Sequence, residues 1–382
     1  DGLLRRDQQE DYVAAVLPPS GYEHHGSQLL VFLPNGDPKR WRLLCAHFAG
    51  IEGIPPVKIV VSELDRDSTR WSEPRDVVAQ DDRSLQNPVW LWDAGSPAIR
   101  LLFSSQKGRF QGRSVLEVTS SRDGGRSWSE PELVYPRNQP LRSLGGGEWL
   151  LPLYHTPHGF HNAVPQFSEV RRSSDGGLTW TNGTVIAPKG MALVQPTVVR
   201  LLDKASGQPS ARLVAFFRSR YHDNIFRAES ADDGRTWSVP RPTILPNPNK
   251  AVQAVTLRSG SIALVFNNNR GTWKCQRNFV CPDSKMLPIS IGLSQDEGHT
   301  WPFVRDLQRS FDSRLDYTYP SIVQTDDDAI HITYTWSKHR RRTGIRYVQI
   351  TEQWIKDSRS ASSTIGVYNP EHSHNIKGSI QF

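Results

Sequence analysis

The chain has 382 residues, 37% of them hydrophobic, and its 12 Trp, 14 Phe and 10 Tyr are enough to build a large core. Its formal net charge is +7, but Lys and Arg are spread along the chain and the basic run 339–342 is interpreted as a solvated loop, so nucleic acid is not an expected partner. No apolar run approaches the roughly 18 residues needed to span a bilayer, so we expect no transmembrane segment and a soluble protein.

Short strand patterns separated by turn signals run through most of the chain. Residues 1–20 have no clear period and are expected to be an opening segment or the strand that closes a ring. Three strands follow, at 27–33, 42–46 and 57–62, before a turn that leads to a fourth. Similar groups of strand patterns recur at 87–92, 99–103 and 114–118; at 149–154 and 168–171; at 197–202 and 213–217; at 252–257 and 262–266; and at 321–325, 330–334 and 345–350.

An eight-residue turn, S-x-D-x-G-x-T/S-W, repeats through these groups. Its copies begin at Ser121, Ser173, Ser230 and Ser294, with a degraded copy at Ser62, and the period is therefore 52 to 64 residues. In each copy the Asp can accept hydrogen bonds from its own turn, the Gly permits positive φ, and the Trp supplies a large apolar plate. One such turn per unit of four short strands is typical of a β-propeller blade.

Five turns and a last strand group without one predict an all-β, six-bladed β-propeller. We assign residues 1–355 to this single domain and residues 356–382, which are rich in Ser, Asn and His, to a C-terminal extension that is partly disordered. The turn aspartates lack the Glu that ends an EF-hand loop, and no phosphate-cradling Gly loop precedes a helix. No metal or cofactor is therefore expected.

The cysteines and one sequon favour a secreted or lumenal protein. Cys275 and Cys281 are close enough in sequence to form a disulfide, whereas Cys45 lies in an apolar strand pattern and is expected to be a buried thiol. Asn182 begins an Asn-Gly-Thr glycosylation sequon. The chain begins at Asp1, without Met or an apolar leader, as expected of a processed chain.

The repeated turns and several short phrases resemble the sialidase (neuraminidase) superfamily, in its BNR-repeat, sialidase-like branch, over residues 20–350. The phrases are His25-Gly-Ser, Ala49-Gly-Ile-Glu-Gly, Gln86-Asn-Pro-Val, Gln195-Pro-Thr, Leu245-Pro-Asn-Pro-Asn, Tyr317-Thr-Tyr-Pro-Ser-Ile-Val-Gln and His331-Ile-Thr-Tyr-Thr-Trp. The resemblance implies a site in which three arginines hold a sugar carboxylate, a Glu-activated Tyr attacks the anomeric carbon, and an Asp acts as acid and base.

Carried over by position, the resemblance places the nucleophile at Tyr319 and the second arginine at Arg218. It also implies a substrate-binding role for Asn87, in the phrase Gln86-Asn-Pro-Val, and for Arg142, whose alternative role is an ion pair between blades. For Tyr319 the alternative is a channel-lining aromatic residue.

Four positions depart from the pattern. Gln195 stands where the activating Glu is expected, and Lys285 lies where the third arginine is expected and lacks its bidentate fork. The first arginine is expected near His25, and the segment Ile54–Val57, where the acid is expected, contains none. Tyr317 or His25 would therefore have to assist Tyr319, and His25 suits acid–base work unless it is merely a polar residue of the surface or channel.

We therefore expect a monomeric, exo-α-sialidase-like glycosyl hydrolase that acts on terminal acidic sugars of glycoconjugates. A rhamnosyl-glucuronate hydrolase or lyase is one alternative. The other is a glycan-binding propeller that has lost catalysis, because blade turns support the fold independently of the chemistry at its centre.

Overall fold

The computed structural model describes residues 1–7, 11–92, 96–108, 114–135, 139–140, 149–156, 165–175, 179–269, 288–310, 314–338 and 341–357. Within these residues the strands form six antiparallel sheets, five with four strands and one with five. The predicted all-β, six-bladed propeller is confirmed. The disulfide predicted between Cys275 and Cys281 lies outside the described residues, as does the predicted extension 356–382 from residue 358 onward, whereas Cys45 is a buried free thiol.

The strands are short and follow the predicted groups. In chain order they are β1 (Arg5–Arg6), β2 (Val13–Val16), β3 (His24–Phe32), β4 (Arg42–Ala49), β5 (Lys58–Asp65), β6 (Arg75–Val78), β7 (Ser84–Leu91), β8 (Ile99–Gln106), β9 (Val115–Ser121), β10 (Glu132–Tyr135), β11 (Gln139–Pro140), β12 (Trp149–His155), β13 (Phe167–Ser173), β14 (Thr184–Ala187), β15 (Leu193–Leu202), β16 (Pro209–Ser219), β17 (Asn224–Ser230), β18 (Arg241–Pro246), β19 (Gln253–Thr256), β20 (Ile262–Asn267), β21 (Ile289–Ser294), β22 (Phe303–Gln308), β23 (Leu315–Gln324), β24 (Ile330–Lys338) and β25 (Arg341–Ile350). Short 3₁₀ helices occupy Pro34–Gly36 and Pro38–Arg40, and helix α1 spans Glu352–Lys356. No helix among the described residues has the length and apolarity to cross a bilayer.

We name the blades A to F in chain order. Blades A to E are β3–β6, β7–β10, β11–β14, β15–β18 and β19–β22, and blade F has the order β1-β2-β25-β24-β23. Strand β2 comes from the start of the chain and pairs with β25 at its end, with Val13 opposite Gln349 and Val16 opposite Arg346. The opening segment therefore closes the ring by covering the edge of β25, and the two-residue strand β1 becomes the short outer edge of blade F.

The core lies between blades. Six buried apolar clusters are found, and each joins two neighbouring blades around the ring. Between blades D and E, for example, Phe216 packs against Trp301 with ring centroids 5.7 Å apart. Each blade is thus stabilised by its neighbours, as expected for units that cannot bury both faces alone.

The repeated turns have the predicted structure. In the copy on blade D, Asp232 Oδ1 accepts from Thr236 N at 2.8 Å and from Ser230 Oγ at 2.8 Å, while its Oδ2 accepts from Thr236 Oγ1 at 2.6 Å. Trp237 closes the turn by donating to the carbonyl of Gly234 at 3.1 Å. These hydrogen bonds favour the charged carboxylate and lower the pKa of Asp232 to about 2.

Candidate functional site

The same backbone irregularity occurs on four strands, β3, β7, β15 and β23, each of which lies at one end of its sheet. Each of these strands contains a β-bulge, between His25 and Gln28, Gln86 and Val89, Val194 and Thr197, and Thr318 and Ser321. Each bulge contains one residue with positive φ: Gly26 at 62°, Asn87 at 51°, Gln195 at 49° and Tyr319 at 51°. Bulges are used in proteins to redirect a side chain, and three of these four positions carry a strained non-glycine residue.

The four bulges meet at one pocket. Its cavity volume is about 50 Å³, and with the open solvent at its mouth the empty space is about 540 Å³. Its lining residues come from β3, β7, β15 and β23, and from the start of β19 with the segment before it: Gly26, Ser27, Gln28, Asn87, Pro88, Gln195, Pro196, Thr197, Ala251, Val252, Gln253, Tyr319 and Pro320. The floor is tied across the ring, because Gln253 Nε2 donates to Gln28 Oε1 at 3.2 Å while its Oε1 accepts from Ile322 N at 3.1 Å. The sequence-predicted residues Asn87, Gln195 and Tyr319 therefore converge on this pocket.

Arg218 lies at the end of β16 and is 8% exposed. Its Nη1 donates to Gln195 Oε1 at 2.7 Å and its Nε donates to Asn249 Oδ1 at 2.8 Å, and it also hydrogen-bonds the side chain of Tyr319. Gln195 and Asn249 are uncharged amides, so neither neutralises the guanidinium. Burial lowers the pKa of Arg218, while Tyr319, Tyr154 and Glu52 act in the opposite direction.

A second buried arginine, Arg220, follows two residues later. Arg220 lies in the turn after β16, close enough to Arg218 for the charge of Arg218 to act on it. Its Nε donates to the amide oxygen of Gln166 at 3.0 Å. Burial, and then the neighbouring charge of Arg218, lower the pKa of Arg220 to about 9, so it is still a cation at neutral pH.

Gln195 connects Arg218 to another buried side chain. Because its Oε1 accepts from Arg218, its Nε2 is the group left to donate to Tyr154, with which it hydrogen-bonds. Burial raises the pKa of Tyr154. Gln195 therefore positions the guanidinium but supplies no base for Tyr319, as the sequence indicated.

His222 positions Arg218 indirectly, through Asn249. Its Nε2 lies 3.3 Å from Asn249 Nδ2, and since Asn249 Oδ1 accepts from Arg218, the Asn249 amide donates and the imidazole accepts. Burial, followed by the charges of Arg218, Lys250 and Arg220, lowers the pKa of His222 to about 4. The imidazole is therefore neutral at pH 7, as an acceptor must be.

Glu52 places a carboxylate near Arg218. It lies in the connection between β4 and β5, and its negative charge acts through space on Arg218. The acid was expected in Ile54–Val57, whereas Glu52 stands two residues before that segment. The phrase Ala49-Gly-Ile-Glu-Gly was the available signal.

His25 lies behind this connection rather than in the pocket. It is fully buried, its ring packs on Phe48 with centroids 3.8 Å apart, and its Nε2 lies 3.1 Å from the carbonyl oxygen of Gly50. The structure thus places His25 where it supports the loop that carries Glu52, and His25 is not among the residues that line the pocket.

Tyr317 is also not at the site. It is 1% exposed, belongs to the core between blades E and F, and packs edge-to-face on Tyr334 with centroids 5.7 Å apart. The expectation that Tyr317 assists Tyr319 does not fit this position. Arg142 and Lys285 lie outside the described residues.

The arrangement favours an anionic ligand. Two buried guanidiniums next to the pocket are held by amide and phenol groups, with Glu52 as a nearby acid. A carboxylate from a ligand would be stabilised by both charges in a partly dehydrated site. Within the described ranges no group of three or more His, Cys, Asp or Glu side chains is arranged to hold a metal ion.

Comparison with solved structures gives many matches of the same fold. The Hadza microbial sialidase Hz136 is 16% identical with a TM-score of 0.66, and the match covers 87% of this chain and 66% of that one. The NanB sialidase of Streptococcus pneumoniae is 13% identical with a TM-score of 0.67, covering 89% and 71%. A protein of unknown function from Dyadobacter fermentans is 17% identical with a TM-score of 0.64, covering 88% and 97%.

At these identities the likeness shows the fold, and this chain spans about two thirds of the length of the two sialidases. No curated protein matches. The family model for the BNR repeat-like domain matches residues 41–332, about three quarters of the sequence. With its repeated turns, six blades and sialidase-like fold, this chain belongs to the BNR repeat-like domain family.

Proposed function

We propose that this protein is a glycoside hydrolase of the exo-α-sialidase type that removes terminal acidic sugars from glycoconjugates. The observation that carries the proposal is the pair of buried arginines beside a pocket lined by Tyr319. Arg218 and Arg220 bind the sugar carboxylate, and Tyr319, which hydrogen-bonds Arg218, faces the anomeric carbon. The sialidases among the structural neighbours support the same class of reaction.

Tyr319 acts as the nucleophile, and its proton passes to water as its oxygen attacks. Arg218, which hydrogen-bonds Tyr319, stabilises the negative charge that develops on that oxygen. A neutral residue at Gln195 also leaves the Arg218 charge available to the substrate, whereas a Glu would pair with it. A Tyr nucleophile is a known exception among glycosidases, and suits an anionic substrate that would repel a carboxylate.

Glu52 acts as the acid and then as the base. In the first step the Tyr319 oxygen bonds to the anomeric carbon as the glycosidic bond breaks, and Glu52, after taking a proton from water, gives that proton to the leaving oxygen. In the second step water attacks that carbon, the bond to Tyr319 breaks to release phenolate, and the Glu52 carboxylate takes the proton of the water. Net retention at the anomeric carbon follows from the two displacements.

A direct test uses an aryl α-sialoside and a rhamnosyl-glucuronate glycan as alternative substrates. We expect turnover of the sialoside, with Tyr319→Phe lowering kcat by at least about 100-fold because it removes the nucleophile. Tyr12→Phe is the matched control, since Tyr12 donates to the Leu307 carbonyl at 3.0 Å, away from the pocket. Turnover that survives Tyr319→Phe would refute the nucleophile, and turnover of the second glycan alone would assign a uronate-linked substrate.

Gln195 favours a second candidate, a glycan-binding propeller without catalysis. An amide cannot take a proton from Tyr319, and losing a general base typically costs about 10²–10⁴ in rate. On this reading the arginines still bind an acidic sugar. Binding on a glycan array that depends on Arg218, with no turnover over long incubation, would establish the binding protein and overturn the enzyme.

A further inference from the structure

The connection between β4 and β5 holds apolar side chains out into solvent around Glu52. Ile51 is 54% exposed and Ile54 is 39% exposed, one on each side of the acid in sequence. Tyr22, 55% exposed, is joined to the same place, because the next residue, Glu23, accepts from Gly50 N at 2.8 Å. We call Tyr22, Ile51 and Ile54 the apolar lip.

The apolar lip is fixed in place by hydrogen bonds of its own backbone. Gly53 N donates to Ser84 Oγ on blade B at 3.1 Å, and Ile54 N donates to the Ile51 carbonyl at 2.9 Å. Beyond the lip, Val57 N donates to the Arg83 carbonyl at 3.1 Å. A loop tied at both ends keeps its isoleucines exposed, so they form a prearranged apolar contact surface.

The cation nearest Tyr22 among the described contacts, Lys58, is already paired with a carboxylate within the protein. Lys58 Nζ lies 4.8 Å from the centroid of the Tyr22 ring and 2.7 Å from Asp76 Oδ1. The apolar lip therefore adds no positive charge to that of Arg218 and Arg220, which favours an anionic ligand. Its chemistry differs from that of the pocket beside it.

The position of Glu52 determines which part of a substrate meets the lip. An acid that protonates the glycosidic oxygen must lie on the leaving-group side of the sugar, across from the nucleophile. Residues that flank the acid then contact the first atoms of the leaving group. We propose that the apolar lip binds an apolar aglycone, so that the preferred substrate is an acidic-sugar glycoside of an alkyl or lipid chain. This inference rests on the proposed function.

The test compares octyl and methyl α-glycosides of the same acidic sugar, N-acetylneuraminic acid. Their leaving alcohols have similar reactivity, so a difference in kcat/KM reports contact with the alkyl chain. We expect the octyl glycoside to be favoured by about tenfold or more, since each buried methylene contributes about 0.8 kcal/mol at most and only part of the chain meets the lip. In the double variant Ile51→Ser, Ile54→Ser the ratio falls towards one.

Ile244→Ser and Val239→Ser are the matched controls, because these side chains are 48% and 69% exposed on blade D, outside the site. Both should keep the wild-type ratio. Equal hydrolysis of the two glycosides by the wild type, or a ratio unchanged in the double variant, would overturn the apolar lip and leave the glycosidase intact. Hydrolysis of neither glycoside would instead overturn the proposed function, and the lip with it.

Discussion

The rim turns and the central pocket of this propeller both have tight backbone geometry, but it serves opposite purposes in the two regions. At the rim, Gly234 and Gly298 adopt positive φ, and the aspartate of each turn is saturated with donors from the same eight residues. At the pocket, the strained positions belong to Asn87, Gln195 and Tyr319, and two cations are buried side by side. The rim is built for stability, whereas the pocket holds arrangements that are unfavourable until a ligand completes them.

The largest expected effect on stability comes from the rim. Trp301→Ala removes a 2%-exposed plate that packs on Phe216, and we expect a loss of about 3–5 kcal/mol in the free energy of unfolding. Denaturant titration measures the loss, and ligand affinity of the folded fraction should not change. An unfolding free energy equal to that of the wild type would show that the turns do not hold neighbouring blades together.

At the pocket the effects should be reversed. Arg220→Met keeps the apolar stem but removes one of two neighbouring buried charges, so stability should be unchanged or higher. Affinity for an acidic sugar should fall about 10-fold to 100-fold, the value of a hydrogen bond to a charged group. Arg200→Met is the matched control, because Arg200 pairs with Asp233 at the rim. That variant should lose stability and keep affinity, and an affinity loss equal to that of Arg220→Met would remove the distinction.

A smaller effect is expected one step away from the ligand. His222→Phe removes the acceptor for Asn249, which orients Arg218, so affinity for the acidic sugar should fall about 3-fold to 10-fold. His222→Gln retains an acceptor and should restore most of it. Equal losses in the two variants would indicate that His222 only fills space.

The smallest expected effect is the pH dependence of the stability that a rim turn contributes. The pKa of Asp232 is held at about 2, below its unfolded value, so its contribution to stability is complete above about pH 4 and is lost as the pH falls towards 2. The difference in Tm between wild type and Asp232→Asn should therefore be constant from pH 7 to about pH 4 and then vanish. A difference that already shrinks at pH 6 would contradict this assignment.

The rim could be predicted from sequence because its interactions are local. Every donor to Asp232 lies within Ser230–Thr236, so one short pattern contains the whole turn, and its period gave the blade count. The degraded copy of the turn, which begins at Ser62, retains only part of this local structure. Trp71 keeps its buried place there, although the turn between Asp65 and Ser68 has lost the Asp-centred hydrogen bonds.

The pocket was predicted only in part because its residues meet across the ring. Arg220 and His222 were missed, because both lie in the turn after β16, where strand alternation from Arg218 no longer applies. Tyr317 was expected to assist Tyr319 as its neighbour in the sequence, and residues i and i+2 of a regular strand lie on the same side of it, in alternation with the residue between them. The bulge between Thr318 and Ser321 breaks that alternation, sending Tyr319 to the pocket and leaving Tyr317 in the core.

The central claim is that the pocket recognises a negative charge through Arg218 and Arg220. Calorimetric titration with N-acetylneuraminic acid and with glucuronic acid, each beside its uncharged methyl ester, tests it most directly. We predict that at least one acid binds and that its ester binds at least about tenfold more weakly, with Arg218→Gln abolishing the difference. Equal affinity for each acid and its ester would contradict the account.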